Sequence, residues 1–324
     1  MAENVKAVVS RGRLKAFNAI QKSDVYIICV PTPFHDNEKI PQPNIDHVIS
    51  VTKSISKFIK SGDLIILEST SPVGTTEKIQ KILFEYGVDL KDVHIAYCPE
   101  RVLPGKIMHE LTENDRIIGG LTSKSTKLIK EFYSSFVKGE IFETDSRTAE
   151  MCKLAENSFR DVNIAFANEL SIICDKIGID VSELINLANK HPRVNILQPG
   201  TGVGGHCIAV DPWFIISQDV KNTKLMYAAR EVNNYKTSWV LDKIKKSIKH
   251  HINKKGYKPK LACLGLAFKP NIDDLRGSPA INITNDLTEL NFGKVLAIEP
   301  NISEAPSSLS DNVELASVNK ALKE

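Results

Sequence analysis

Short continuous apolar runs alternate with stretches of helical apolar spacing in the first part of the chain. The runs predict strands and the spaced stretches predict helices. Strands are predicted at residues 24–30, 64–67, 94–97 and 116–119, and helices at 44–60 and 75–86. This alternation is typical of an α/β domain with a parallel sheet and right-handed crossovers.

The hydrophobic pattern then becomes purely helical. Residues 148–177 contain no proline or glycine and predict one long helix that ends at Gly178. Residues 180–183 resemble a capping box that opens another helix. A second helical stretch covers about 222–252 and leads to a polar linker at 253–256. The middle of the chain is therefore predicted to be all helical.

The α/β pattern returns in the last part of the chain. A strand is predicted at 261–266, and Pro279 follows Ser278 at a plausible first helical position. A helix to about residue 290 and a strand at 294–298 complete a βαβ start. The chain therefore consists of two α/β parts separated by a helical one.

Composition narrows the range of functions. The 324 residues carry a net charge of +3, and no basic stripe with interleaved aromatic residues indicates a nucleic-acid partner. Six scattered cysteines without a CxxC pair exclude a disulfide framework and a zinc site, so no metal is expected. They suit a reducing, cytoplasmic location. No apolar run approaches the length of a membrane span, and the first residues lack a signal-peptide core.

A glycine-rich run at 199–212 is the most informative motif. Its glycines formally match G-x-G-x-x-G, but no strand precedes the run and Pro212 would interrupt a helix after it, so the dinucleotide fingerprint is rejected. Cys207 ends the glycines and Asp211 follows four residues later, which makes Cys207 a candidate covalent nucleophile beside backbone N–H groups. The alternative is a surface loop beside an inert cysteine.

Polar residues in two places along the chain are candidates for stabilising an oxyanion or touching a ligand. Lys153 and Asn157 share one face of the long helix, and Asp161 continues that face. The alternative is a solvated polar stripe. Thr70 lies in the segment 68–74, where a strand ends and a helix begins, so it is placed to touch a ligand or to cap the helix.

Charged residues after two other strands are candidates for acid–base work and anion binding. Glu100 is a candidate general base and Arg101 an anion clamp, with an exposed ion pair as the alternative. Lys269 and Arg276 flank two aspartates and suit phosphate or carboxylate binding. Charge-balanced packing against those aspartates is the alternative.

Taken together, these segments resemble the UDP-glucose/GDP-mannose dehydrogenase family of nucleotide-sugar 6-dehydrogenases. The resemblance covers nearly the whole chain from about Asp24 onward. It rests on several long motifs in the family's order, which are the segments 30–34, 68–74, 98–105, 148–170, 191–195, 199–212 and 265–276.

The resemblance implies a four-electron oxidation of a CH2OH group to a carboxylate with two NAD+. Cys207 would bind the intermediate aldehyde as a thiohemiacetal and then a thioester. Lys153 and Asn157 would stabilise the oxyanion, and Asp211 would assist proton movement or orient Lys153. Glu100 would help to activate the hydrolytic water, which Thr70 would position.

The resemblance also implies binding residues and a partner. The substrate residues would be Arg101, Arg193, Gly204 and Lys269, and the NAD residues Pro31, Thr32, Thr70 and Arg276. Arg193 would reach the substrate of a neighbouring subunit in a homodimer formed through the long helix. The implied substrate is a UDP-N-acetylhexosamine, UDP-N-acetyl-D-mannosamine, with UDP-N-acetyl-D-glucosamine left open. Its product would serve surface polysaccharide such as enterobacterial common antigen.

Two departures from the family pattern modify these expectations. Pro104 stands where the UDP-glucose branch has a second glutamate, which together with Arg101 resembles the N-acetylated-sugar branch. Residues 1–22 contain no strand and glycine-rich loop for the NAD pyrophosphate, so the chain is expected to be N-terminally truncated. The alternatives are a non-catalytic remnant that binds UDP-sugar and dimerises, or a thiol acyltransferase or hydrolase.

The predicted fold class is therefore α/β with three regions. Residues 1–145 form an incomplete N-terminal Rossmann-like domain that binds NAD and lacks its first β-α-β. Residues 146–252 form a central all-helical dimerisation region with the cysteine loop. Residues 253–324 form a shortened C-terminal Rossmann-like domain that binds UDP-sugar.

Overall fold

The structure is a computed structural model that describes residues 2–35, 40–102 and 105–323. The chain divides into two compact units, Met1–Ala155 and Glu156–Glu324. The predicted α/β class with a helical middle region is confirmed. The three domain boundaries predicted from the sequence stay a prediction.

The first unit alternates strands and helices. Its elements are α1 (Ala2–Ser10), β1 (Val25–Ile28), β2 (Phe34–His35), β3 (Gln42–Pro43), α2 (Asp46–Ile55), β4 (Leu64–Leu67), α3 (Thr75–Glu85), β5 (His94–Tyr97), α4 (Ile107–Glu113), β6 (Arg116–Gly120), α5 (Ser123–Ser134), β7 (Ile141–Asp145) and the start of α6 (Ser146–Ile177). The four predicted strands and two predicted helices of this part are present. The strand β7 and the helices α1, α4 and α5 were not predicted.

Five of these strands form one sheet in the order β1-β4-β5-β6-β7. The predicted parallel pairing holds for β1–β4, β4–β5 and β6–β7, but β5 and β6 pair antiparallel. A parallel pair needs a crossover that packs on the sheet, usually a helix. The connection from β5 to β6 contains the short α4, none of whose residues is buried, so it provides no such crossover.

Both faces of the central strands of this sheet are covered. Ile65 and Leu67 pack with residues of α2 and α3, whereas Leu64 and Ile66 pack with residues of α5. Every side chain of β4 and β5 is buried. This two-sided burial explains why the strands are continuous apolar runs rather than alternating ones.

The second unit is helical before it becomes α/β. It contains the rest of α6, then α7 (Val181–Ala188), α8 (Asp211–Ile216), α9 (Lys224–Lys255), β8 (Leu261–Leu264), α10 (Pro279–Glu289), β9 (Val295–Ile298), β10 (Glu314–Leu315) and α11 (Val318–Lys323). The strands form a parallel sheet in the order β10-β9-β8, with α9 and α10 packed on its core. Among the described residues, no helix combines the length and the apolar character needed to cross a membrane.

The predicted helix ends of this unit are largely confirmed. Gly178 follows α6 with a φ of +75°, and the Asp180 carboxylate accepts hydrogen bonds at the start of α7. Ser278 caps α10, whose first turn contains Pro279. The predicted linker at 253–256 is wrong for its first three residues, because α9 continues until Gly256 supplies the left-handed C-cap, with a φ of +79°.

The glycine-rich run lies in the irregular segment between α7 and α8. The element directly before it is the helix α7 and not a strand, in agreement with the rejection of the dinucleotide fingerprint. The sequence predicted that Pro212 would interrupt a helix, and this prediction is wrong. Pro212 lies in the first turn of α8. Proline is tolerated there because the first N–H groups of a helix have no intrahelical partner.

Candidate active site

The turn Cys207–Asp211 presents an exposed thiol close to a buried carboxylate. The backbone carbonyl of Cys207 accepts hydrogen bonds from Val210 N at 2.9 Å and Asp211 N at 2.8 Å. The Asp211 carboxylate, only 3 % exposed, accepts a hydrogen bond from Asn157 Nδ2 at 2.5 Å. The structure therefore brings together three of the residues that the sequence selected.

The glycines before Cys207 allow a close approach between two backbone segments. A Cβ on Gly204 would lie 2.7 Å from Pro279 Cδ, and a Cβ on Gly205 would lie 2.8 Å from Phe268 Cε2. Gly205 also has a φ of +85°, which favours glycine. Packing against the segment 268–279 thus explains these two glycines independently of any oxyanion.

Three asparagines, two in α6 and one at the C-terminal end of α7, hold the backbone of residues 195–200. Asn163 bonds to Asn195 O at 3.0 Å and Leu197 N at 3.1 Å. Asn189 bonds to Ile196 O at 3.0 Å and Ile196 N at 2.8 Å, and Asn168 Oδ1 accepts from Gly200 N at 2.9 Å. The sequence analysis missed these residues, because contacts up to 34 positions apart leave no local pattern.

A buried polar network supports Asn168 from behind. Asn168 Nδ2 donates to Asn233 Oδ1 at 2.9 Å, and Asn233 Nδ2 donates to Asp161 Oδ1 at 2.8 Å. Arg230 Nη1 lies 2.6 Å from the same Asp161 oxygen. Burial raises the pKa of Asp161, whereas Arg230 acts in the opposite direction. Through Asn233 and Asn168, Asp161 therefore helps to hold the segment before Cys207. It does not simply continue a polar face directed at a ligand.

The segment after β8 places charge near Cys207. Arg276 donates from Nε and Nη2 to the Asp274 carboxylate at 2.9 and 2.7 Å, and His206 Nδ1 lies 3.9 Å from that carboxylate. The pKa of Asp274 is lowered, chiefly by Arg276. The pKa of Arg276 is raised, first by Asp274 and to a lesser degree by the Cys207 thiolate. The expected charge balance against the aspartates is therefore present for Arg276.

Of two further predicted binding residues in the second unit, Lys269 is half-buried and Arg193 is exposed. The Lys269 ammonium lies 5.6 Å from the centroid of the Phe268 ring. Arg193 is exposed, and its backbone N–H donates to His191 Nδ1 at 3.3 Å. The roles predicted for both stay predictions.

The first unit joins two candidate loops at the carboxyl ends of β1 and β4. Thr32 Oγ1 donates to Thr70 O at 2.6 Å, and Val30 N donates to Ser69 Oγ at 2.8 Å. Pro31 lies between these contacts. Parallel α/β sheets bind ligands at this edge, so the placement suits the cofactor role predicted for Pro31, Thr32 and Thr70.

Thr70 is not the N-cap of α3, which was the alternative interpretation. The cap position is Gly74, and the Glu150 carboxylate accepts from Gly74 N at 2.6 Å and Thr76 N at 2.8 Å. Glu150 is fully buried, and this burial raises its pKa. The positive end of the α3 dipole is thereby already occupied by a protein carboxylate.

Lys153 is buried rather than solvated. Its Nζ donates to the backbone carbonyl of Glu100 at 2.7 Å, so the solvated-stripe alternative is wrong for this residue. The Glu100 side chain accepts from Val102 N, and Arg101 Nη1 donates to Asp115 O at 3.0 Å. Pro104 lies outside the described residues.

A second exposed cysteine lies near the same edge, in contact with acidic groups. Cys29 Sγ donates to Glu68 Oε2 at 3.5 Å, and the buried Arg116 lies 3.7 Å from the other oxygen of Glu68. Burial and the Glu68 charge raise the pKa of Cys29 to about 12. Cys29 is therefore a protonated thiol at neutral pH, unsuited to nucleophilic attack.

The first unit fits one part of an NAD molecule better than another. The joined loops offer the carbonyls and hydroxyls of Thr32 and Thr70, which suit a ribose or a nicotinamide amide. The N-terminus of α3 would suit a pyrophosphate, but Glu150 fills it. Among the described residues, these loops therefore fit the nicotinamide end of the cofactor.

Comparison with known proteins identifies the class. Three models of one family match the chain: the NAD binding domain over residues 1–137, the central domain over 147–235 and the UDP binding domain over 262–324. Together they define an NAD-dependent dehydrogenase of nucleotide-linked sugars. The chain belongs to the UDP-glucose/GDP-mannose dehydrogenase family.

Individual relatives agree with this assignment. UDP-N-acetyl-D-mannosamine dehydrogenase of Campylobacter jejuni is 54 % identical over 99 % of this chain and 80 % of its own length. NDP-N-acetyl-D-galactosaminuronic acid dehydrogenase of Ralstonia solanacearum is 50 % identical over 98 % and 75 %. The structure of UDP-D-ManNAc dehydrogenase from Pyrococcus horikoshii superposes with a TM-score of 0.86 at 38 % identity, covering 93 % of this chain and 72 % of that one.

Proposed function

We propose that this protein oxidises UDP-N-acetyl-D-mannosamine to UDP-N-acetyl-D-mannosaminuronate. The observation that carries the proposal is the exposed Cys207 thiol, which follows an anchored glycine loop and starts the turn to the buried Asp211–Asn157 pair. Relatives named for this sugar nucleotide are more than half identical to the chain. The thiol and the sugar are thus supported by independent findings.

The proposed reaction uses Cys207 in the second oxidation. The CH2OH group first loses a hydride and a proton to become an aldehyde. The Cys207 thiolate adds to the aldehyde carbon, and the resulting alkoxide takes up a proton to give a thiohemiacetal. Loss of a second hydride and a proton leaves a thioester. Water attacks its carbonyl carbon, the C–S bond breaks, and carboxylate, thiolate and protons result. NAD, when bound, would supply the hydride acceptor, with one NAD+ used for each of the two oxidations.

The surrounding residues are proposed to handle charge and protons. Lys153 and Asn157 donate hydrogen bonds to the oxyanion that forms at the reacting carbon, and Asp211 orients Asn157, as their 2.5 Å contact supports. Glu100 activates the hydrolytic water, and Thr70 positions it. The Lys153 contact with the Glu100 carbonyl supports a shared task for these two residues.

Binding roles are proposed for the remaining candidates. Pro31, Thr32 and Thr70 hold the nicotinamide end of NAD, and Arg276 meets its phosphate. The substrate is bound by Arg101, Arg193, Gly204 and Lys269. A cytoplasmic location is supported by six cysteines that are all free, and the product is proposed to serve surface polysaccharide.

The proposal includes a homodimer formed through α6. Phe159, Phe166 and Ile173 are 71 %, 50 % and 48 % exposed, and Ile177 extends their line. A spacing of seven residues keeps side chains on nearly the same face of a helix. An exposed apolar stripe of this length is typical of a helix that packs on a partner.

A panel of sugar nucleotides tests the function. The protein should form two NADH per UDP-N-acetyl-D-mannosamine consumed, with a kcat/KM at least about tenfold above that for the gluco and galacto isomers. The Ralstonia relative makes the galacto sugar a specific second candidate. A preference for either isomer would overturn the substrate assignment. Binding of the sugar nucleotide by calorimetry without NADH formation would instead indicate a non-catalytic binder.

A further inference from the structure

The end of α9 and the loop after it carry a dense positive charge. Residues 243–260 contain eight lysines and two histidines but no aspartate or glutamate, in a chain whose net charge is +3. Within the described part of the chain, ion pairs involve two of these lysines, Lys243 with Asp175 and Lys245 with Asp242. Six lysines of this segment are thus available to an external anion.

A cavity of about 410 Å³ opens in the same segment. We call it the His251 pocket. Its volume lies within the range of sites that hold small organic ligands. The described residues that line it include no acidic side chain and are His251, Tyr257, Lys258, Pro259, Lys260, Leu261, Ala262, Leu296 and Ala321.

One polar atom of the pocket wall lacks an internal partner. His251 Nε2 is buried, and no described residue offers it a hydrogen bond. The imidazole packs edge to face on the Tyr257 ring at 5.2 Å between centroids, which fixes its orientation. Buried polar atoms are nearly always hydrogen-bonded, so this nitrogen is a position in the pocket wall that a bound group would satisfy.

The two lysines of the pocket differ in their freedom. Lys258 Nζ donates to Asn291 O at 2.8 Å, which holds its ammonium group in place. Lys260 is exposed and directly precedes β8. A fixed and an adjustable ammonium beside an imidazole form a donor set that suits several phosphate oxygens.

The His251 pocket is separate from the residues proposed for substrate binding in the same sheet. Residues 257–260 lead into the amino end of β8, whereas the segment with Lys269 and Arg276 follows its carboxyl end. A parallel strand of four residues separates these two ends. A ligand of the His251 pocket is therefore distinct from one bound at 268–276.

We propose that the His251 pocket binds a small anion with two linked phosphates. The phosphate oxygens accept from His251 Nε2, Lys258 and Lys260, and the exposed Tyr257 ring is available to an attached base. Inorganic pyrophosphate and a nucleoside diphosphate share this chemistry. The site is accessory to the proposed oxidation and does not depend on it.

Calorimetry on the full chain tests the proposal, with inorganic pyrophosphate and ADP as separate probes. Both should bind, and the double variant Lys258→Gln/Lys260→Gln should weaken binding at least about tenfold, as should His251→Gln. Tighter binding of ADP identifies a nucleotide ligand, and equal affinity identifies the diphosphate alone. Either result supports the site.

Two further measurements keep the test specific. The exposed pair Lys91→Gln/Lys127→Gln removes the same charge elsewhere and should leave the affinity within about twofold. Thermal melting and NADH formation of the pocket variants should match the parent, which shows that they fold. Absence of binding, equal weakening in the control pair, or unchanged affinity in both pocket variants would overturn the proposal.

Discussion

Two exposed cysteines illustrate how surroundings decide reactivity. Cys29 donates to the Glu68 carboxylate, and its pKa is raised to about 12, so it stays protonated. Cys207 instead interacts electrostatically with Arg276, whose charge is opposite to that of a thiolate. The two exposed cysteines therefore have different surroundings, which is why Cys207 and not Cys29 is proposed as the nucleophile.

Replacing the proposed nucleophile should abolish the four-electron oxidation. Cys207→Ser should lower the rate of uronate formation from UDP-N-acetyl-D-mannosamine by about a thousandfold or more, because a serine hydroxyl is a poor nucleophile without an adjacent base. Cys29→Ser should stay within about threefold of the parent. Near-parental turnover by Cys207→Ser would rule out the thiol mechanism.

At the scale of single residues, the sequence was sufficient to select reactive side chains. It did not reveal the residues that hold the loop around them in place. Cys207 and Asp211 are four positions apart in one motif, so spacing alone selected them. Asn168 and Asn189 were missed, because an asparagine in or at the end of a helix has no local mark that distinguishes a loop anchor from a surface residue. Their partners become visible only when α6 and α7 pack against the loop.

The anchor at Asn168 should matter for catalysis more than for cofactor binding. Asn168→Ala removes the acceptor of Gly200 N and the link to Asn233. We expect kcat to fall at least about tenfold with the KM for NAD within about twofold, because the thiol loses its fixed position. The exposed Asn253→Ala serves as control. An unchanged kcat in a folded Asn168→Ala protein would contradict the anchoring role.

Elements with two buried faces were predicted well, and elements with few buried positions were not. The strand β4 is a continuous apolar run because helices cover both of its faces. The strand β7 is largely exposed and carries Glu143 and Asp145, so no apolar period reveals it. The antiparallel β6 was placed as a strand, but its direction depends on the connection through α4.

The start of α3 depends on a carboxylate from another element, which gives a pH-dependent stability. Glu150→Ala should lower the free energy of unfolding by about 2–4 kcal/mol, since two buried backbone N–H groups lose their acceptor. Burial raises the pKa of Glu150 in the folded state. Its contribution is therefore largest below the ordinary carboxyl pKa and decreases as pH rises through the raised value.

Denaturant unfolding at several pH values checks this linkage. The stability of the parent relative to Glu150→Gln should decrease as pH rises through that window, because the glutamine has no charge to desolvate. Glu77→Gln, at an exposed position in the first turn of α3, provides the matched control. A difference between parent and Glu150→Gln that increases with pH would show that the carboxylate is favoured in the folded state.

At the scale of the whole molecule, the hydrophobic pattern predicted the order of the regions, whereas the homodimer was expected only from the family resemblance. Strand–helix alternation, a helical middle and a second alternation are each signalled by hydrophobic period, and all three are present. The exposed stripe of α6 became evident only from accessibility, because Phe159 and Phe166 look like core residues in the sequence. A hydrophobic period identifies a helix face without showing what covers it.

The proposed homodimer gives the last prediction. Phe159→Glu/Phe166→Glu should convert a particle of twice the chain mass into a monomer in sedimentation velocity, because charge replaces two large apolar contacts at the centre of the stripe. Phe84→Glu alters an equally exposed phenylalanine on α3 and should leave the dimer intact. If Arg193 serves the neighbouring subunit, the monomeric variant should also lose NADH formation while retaining its fold. A dimer that persists with both phenylalanines replaced would assign the stripe of α6 a different role.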